Sequence, residues 1–191
     1  MNDAKPILFN TDMVRAILDG RKTMTRRVVN HKHLRGLENL TAKKIERACK
    51  APYKCGDVLY VRETWYKDAG RYMYRADYSD TEKFYVDGKE IKMRWCPSLH
   101  MPKDAARIFL RVTGVRVEQL NDIDEADAIA EGIYDGWRYH GKGSCALTAR
   151  QAFMWLWHFI TLDAPGWQSW SANPWVWVIE FERCEKPEDE P

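Results

Sequence analysis

The chain has no Cys-x-x-Cys pair. Its five cysteines, Cys49, Cys55, Cys96, Cys145 and Cys184, are odd in number and scattered. That argues against a disulfide framework and a thiolate zinc site, and reads as reduced thiols. His31 with His33, and His140 with Cys145, have no partner set at ligand spacing, so neither a metal nor a cofactor is expected. No apolar run approaches the length that spans a bilayer, and Met1 to Pro6 carries no apolar signal region. These absences lead to the expectation of a cytoplasmic protein with no membrane partner. No internal repeat and no strand–helix–strand rhythm is visible either, which speaks against a solenoid or a doubly wound parallel sheet.

What is present is a globular composition: 191 residues, 45% hydrophobic and 30% charged, enough for one domain with a real core. Nine Trp and nine Tyr exceed what a core of this size needs, so some rings are expected at the surface, available to stack on a flat ligand. The net charge of +2 is unevenly spread. Residues 1–47 hold eleven Lys and Arg against five acids, while the segment from Glu182 holds five acids against two bases. A basic first quarter on a near-neutral chain suits a local phosphate contact better than a long track along duplex DNA.

Residues 6–10 read as a strand, followed by a helix that Thr11 caps and Gly20 ends. Residues 25–29 are the next strand, and 30–54 a polar insertion with a helix near 41–49. Val58 to Trp65 reads as a strand, with Tyr72 to Arg75 its partner across the Asp68-Ala69-Gly70 turn. Residues 76–105 read as loop with one hairpin, so that 66–105 forms a second insertion. A long strand is expected over 106–120, continued past a bulge at Gly114. Asp124 caps a helix ended by Gly132, and 134–147 is a loop. The capping box Thr148-x-x-Gln151 opens the best helix, with Phe153, Leu156, Trp157 and Ile160 facing inward. Trp175 to Phe181 is the final strand. The expectation is an α+β domain over 1–183 with a flexible acidic tail at 184–191. Its centre is a small β-barrel of about five to six mostly antiparallel strands, with three to four short helices and loop-rich insertions.

The rest of the chain is organised around Gly20-Arg21-Lys22-Thr23-Met24-Thr25-Arg26-Arg27, with four cations and two hydroxyls in eight residues. It reads either as a solvated basic turn or as a site for an anionic or nucleobase ligand, with Lys22 placed to activate a hydroxyl. Burial and the neighbouring Arg21, Arg26 and Arg27 would each favour the neutral amine that such a base needs. Geometry sets a condition: in a regular strand from residue 22, Lys22 and Thr25 point to opposite faces, so their pairing requires a turn.

Gly20-x-Lys22-x-x-Thr25-x-Arg27 resembles the signature of the ASCH domains, a branch of the PUA-like β-barrels. The resemblance extends to Lys5-Pro-Ile-Leu-Phe9, Gly56 to Trp65, His100-Met-Pro102, Asp124 to Ile133 and Asn173 to Ile179. It covers roughly residues 5–183, and in this wider pattern the chain is similar to the larger phage and prophage ASCH proteins. The resemblance implies an RNA or modified-base ligand. In its threonine form it is similar to the N4-acetylcytidine amidohydrolases, which implies catalytic roles for Lys22, Thr25 and Glu131 on a modified pyrimidine nucleoside. The chain is nearly twice as long as those enzymes, which leaves the substrate open. Three alternatives stand beside it: a non-catalytic reader of single-stranded RNA or modified bases, a metal-dependent ribonuclease, which the resemblance to other ASCH proteins implies, or a phage protein that acts on a host defence protein.

Glu131 would sit at a helix end where the dipole disfavours its charge, which suits a proton donor. Glu63 is the alternative carboxylate, unless it forms an ion pair with Arg62 or another arginine. Tyr60 and Trp65 are candidate walls of a base pocket.

Overall fold

A computed structural model describes residues 4–34, 36, 39–133 and 148–187. In chain order the elements are β1 (Lys5–Leu8), α1 (Thr11–Leu18), β2 (Met24–Val28), α2 (His31–Leu34), α3 (Ala42–Ala48), β3 (Val58–Arg62), β4 (Trp65–Asp68) and β5 (Arg71–Tyr74). They continue with β6 (Phe84–Val86), β7 (Lys89–Ile91), β8 (Phe109–Gln119), α4 (Glu125–Ala130), α5 (Ala149–Ile160) and β9 (Trp175–Cys184). The expected loop at 134–147, with His140 and Cys145, lies outside the described residues.

The α+β class is as expected, but the sheet is not a closed barrel. Its strands run in the order β1-β3-β8-β9-β2, with β1 and β2 as its two ends. β1 pairs with β3 in parallel, while β3–β8 and β2–β9 are antiparallel. Alternating side chains show which face of a strand is buried; they carry no information on which strand lies beside it. That is why the parallel pair and the open edges were not legible. The expected count of elements was low for a related reason: the insertions hold regular structure of their own.

The chain forms two compact units, one of residues up to Asp19, Asp57–Arg111 and from Arg183, the other of Gly20–Gly56 and Val112–Glu182. In the first, α1 is capped by Asn10 rather than Thr11: the Asn10 carboxamide oxygen accepts from the Met13 N–H at 2.9 Å. Val14, Ala16 and Ile17 form its buried stripe. Gly20 follows the cap residue Asp19 in the left-handed region (φ +74), and the helix stops there. The span 66–105 contains two hairpins. β4–β5 turns on Ala69 and Gly70, and β6–β7 turns on Asp87 and Gly88, all four with positive φ, the twist that tight hairpins need.

In the second unit, α3 is capped by Thr41, which accepts from Lys44. Thr148 caps α5 by accepting from the Gln151 N–H, as the capping signature predicts. Phe153, Leu156 and Trp157 are buried, whereas Ile160 is exposed because the helix ends there. β8 passes through Gly114 without interruption. A Cβ there would stand 2.6 Å from a Glu180 carboxylate oxygen, so a larger residue would make that side chain swing aside. Among the described residues no helix is long and apolar enough to cross a membrane.

Candidate functional site

The basic run meets α4 in the second unit. α4 begins at Asp124, whose carboxylate accepts from the Asp127 N–H at 2.8 Å. It ends in a Schellman arrangement: Gly132 (φ +94) donates to Ile129 and Ile133 donates to Ala128. This fixes Glu131 as the cap residue and aims its side chain and carbonyl at the incoming strand. Residues 21–24 arrive extended. Lys22 forms an antiparallel bridge with Glu131, Thr23 donates to Ala130 at 2.9 Å, and Phe181 donates to the Thr23 carbonyl at 2.9 Å.

The extended path decides the side chains. Lys22, Met24 and Arg26 fall on one face by the two-residue period, and their contacts agree. The Lys22 ammonium donates to the Met24 carbonyl (2.7 Å), the Glu131 carbonyl (2.9 Å) and Glu131 Oε2 (2.7 Å). Arg26 Nη1 reaches Glu131 Oε1 at 3.3 Å and the Met24 sulfur at 3.4 Å. Lys22, Arg26 and Glu131 are all buried, at 3%, 2% and 3% exposure.

Thr25 is also buried, at 2%, opposite Ile179 in the β2–β9 ladder. Among the described residues no hydrogen bond joins its hydroxyl to the Lys22 amine. The structure therefore brings Lys22 and Glu131 together and leaves Thr25 outside that pair.

Four groups that sequence reasoning missed complete the cluster. Arg26 donates to Glu118 through Nε (3.0 Å) and Nη2 (2.6 Å), and to Asp127 through Nη2. Arg116 then joins Asp127 (2.9 Å), Glu118 (3.1 Å) and Glu180. Their spacing held a signal: Arg116 and Glu118 are two apart on one strand face, and Asp127 and Glu131 are four apart on one helix face. What was missing was the knowledge that β8, β9 and α4 all surround Arg26.

The electrostatics follow from burial. Desolvation pushes the Lys22 amine below the ordinary lysine value of 10.5; Glu131 opposes the fall, and Arg27 and Arg26 deepen it. Burial alone would lower Arg26, yet Glu131 and Glu118 hold it above its usual value. Arg27 is depressed by burial, with Glu131 pulling the other way. Arg21 donates to the Gly132 carbonyl at 3.0 Å and so, like Lys22, satisfies a carbonyl at the end of α4. Glu131 accepts from a cation at each oxygen, the reverse of the donor role suggested for it.

The other candidates belong to the first unit. Glu63, 1% exposed, is clasped by Arg107 through two parallel bonds of 2.9 and 3.0 Å. Arg107 also bonds Asp77 at 2.8 Å and lies 3.9 Å from the centre of the Tyr74 ring. Arg62, the other arginine considered for it, donates instead to the carbonyls of Met101 and Leu99. Tyr60 is half-buried in β3, opposite Phe109. Trp65 is half-buried beside Tyr72, and its buried indole N–H has no hydrogen-bond partner among the described residues. No family model matches the chain, and neither the curated proteins nor the solved structures compared with it give a match.

Proposed function

We propose that the chain is an ASCH-type, PUA-like protein that binds a nucleobase at Lys22, Thr25 and Arg27 and hydrolyses the amide of an N4-acylated cytidine or a related modified pyrimidine. The observation that carries this reading is a fully buried lysine whose amine is pushed toward neutrality while its ammonium form has a carboxylate waiting for it at 2.7 Å. In the proposed reaction the neutral Lys22 amine takes the Thr25 proton as the hydroxyl oxygen attacks the acyl carbon. The C–N bond breaks, and the Lys22 ammonium, stabilised by Glu131, gives its proton to the departing N4 amine. Water then cleaves the threonine ester and releases the acid. Arg27 is the cation offered to the developing oxyanion. This requires residues 22–25, extended with Lys22 and Thr25 on opposite faces, to turn when substrate binds so that the Thr25 hydroxyl replaces one of the carbonyl or carboxylate partners of Lys22.

A second reading has its own support. All three Lys22 donors have acceptors that include the end of α4, which is what a purely structural lysine would do. On that reading the protein binds RNA or a modified base without turnover. The assay that separates them follows cytidine release from N4-acetylcytidine and longer N4-acyl cytidines. The expected result is turnover that disappears in Lys22→Ala and in Thr25→Ala with folding intact. Full activity in either variant sinks the mechanism. No turnover on any acyl cytidine leaves the binding reading, checked by salt-dependent RNA binding that Arg27→Ala weakens. Chelator-sensitive cleavage of the RNA would instead favour a ribonuclease.

A further inference from the structure

Arg26 belongs to the basic run but is not one of the fixed positions of the Gly20-x-Lys22-x-x-Thr25-x-Arg27 pattern. It is nevertheless the most heavily bound side chain of the cluster, inaccessible to solvent and directed by three carboxylates. Two of its nitrogens are committed to Glu118, and one of these also to Asp127. Because the guanidinium is planar and rigid, fixing Nε and Nη2 fixes Nη1 as well. Nη1 then has one direction left, toward Glu131 Oε1 at 3.3 Å and the Met24 sulfur. The ring of Phe153 on α5, its centre 5.9 Å from the guanidinium carbon, lies on the remaining side.

From this geometry we propose that Arg26 is the positioning residue of the site: it holds Glu131 Oε1, turns Oε2 toward Lys22, and takes for itself part of the carboxylate's charge. The proposal rests on the reading of Lys22 and Glu131 as a working pair. Its logic is one of shared partners. A lysine that alone owned a buried carboxylate would be locked as the ammonium, useless as a base. A lysine with no carboxylate would have nothing to receive the ammonium that forms during the reaction. A carboxylate divided between an arginine that never loses its proton and a lysine that can lose it satisfies both demands.

The charged groups facing the pair are Asp127 on α4, Glu118 and Arg116 on β8, Glu180 on β9, and Arg21 and Arg27 on the basic strand. Of these, Glu118 and Asp127 bind Arg26 directly, and Arg116 ties Glu118, Asp127 and Glu180 together. The acids thus anchor the arginine, and the arginine orients Glu131. This explains a cost the fold would otherwise have no reason to accept: burying a cation among three acids is less favourable than packing apolar side chains there.

The test is a titration that does not depend on turnover. Lysine labelled with 13C at Cε reports the Lys22 proton by NMR, and the Arg26 Nε–H signal reports its own bonds. In the wild-type chain the Lys22 midpoint is expected below 10.5, with the Arg26 signal shifting at the same midpoint because both share Glu131. In Arg26→Gln the Lys22 midpoint should move upward, and Arg26→Lys should recover part of the difference. Glu180→Gln, which breaks the outer edge of the network without touching Arg26, should leave it unchanged. Should acyl cytidines be substrates, Arg26→Gln lowers kcat at neutral pH about tenfold or more, with KM nearly constant. A Lys22 midpoint that stays put in a folded Arg26 variant overturns the proposal. If neither Arg26 variant folds, the wild-type measurement decides, and an Arg26 signal indifferent to Lys22 titration overturns it. Inactivity toward every acyl cytidine removes the amidohydrolase reading, while the titration still rules on Arg26.

Discussion

Each compact unit buries one glutamate against arginine, and the two clusters behave differently. Among the described residues Glu63 has a single cationic partner, Arg107, whose fork matches both oxygens, and Asp77 and Tyr74 lie against the arginine. Burial raises the Glu63 carboxyl and Arg107 draws it back down, while Arg107 itself is held above its usual value by Glu63 and Asp77 against the cost of burial. Glu131 instead divides its oxygens between Arg26 and Lys22. A bidentate pair is closed, with no proton that can readily move. A shared carboxylate with a titratable lysine is open to proton transfer. The contrast shows that burial of a glutamate does not by itself decide whether its partner can give up a proton.

The largest expected effect breaks the comparison on the side of chemistry. Glu131→Gln should lower acyl cytidine turnover about 10²-fold or more, while Glu63→Gln leaves it within about twofold, as steady-state kinetics would show. A comparable loss in both would erase the distinction between the clusters.

Stability reverses the order. Arg107→Ala leaves Glu63 buried without its partner and should cost about 3–5 kcal/mol in urea unfolding. Lys22→Met leaves Glu131 still bound to Arg26 and should cost clearly less.

A pH series sharpens the contrast further. The folded Lys22 amine lies below its unfolded value of 10.5, so the unfolded chain binds more protons between the two. The Lys22 contribution to stability therefore rises with pH through that window and is lost as pH falls through the folded value. Glu63 has the opposite sign: its folded carboxyl lies above the unfolded 4.5, so its contribution falls as pH rises between them. Melting temperatures of wild type against Lys22→Met on the alkaline side, and against Glu63→Gln on the acid side, should diverge in these opposite directions.

The smallest effect concerns the rim. Gly114→Ala pushes the Glu180 carboxylate from Arg116 and should lower stability by about 1 kcal/mol without moving the Lys22 midpoint.

Much of the local structure was legible before any fold was known. The ends of α1 and α4 followed from Gly20 and Gly132, and the α5 start from Thr148, because a left-handed glycine or a hydroxyl cap acts within a few residues. Lys22 and Glu131 were legible as a pair only through a resemblance. From sequence, Arg26 reads with Arg21 and Arg27 as a substrate-facing cation, yet it is turned entirely inward. The neighbour mistaken at α1, Asn10 for Thr11, shows the usual error of one residue at a helix boundary.

The sequence by itself determined where chain segments stiffen, which faces are apolar and which residue types could do acid–base work, since each depends on neighbours within one or two turns. Tertiary structure alone decided that the sheet stays open, that Thr25 faces away from Lys22, and that Glu118, Asp127 and Glu131 converge on Arg26. Those outcomes depend on strand order and on a helix brought against a strand about a hundred residues away, and a buried charge takes its proton affinity from whichever groups the fold brings to it.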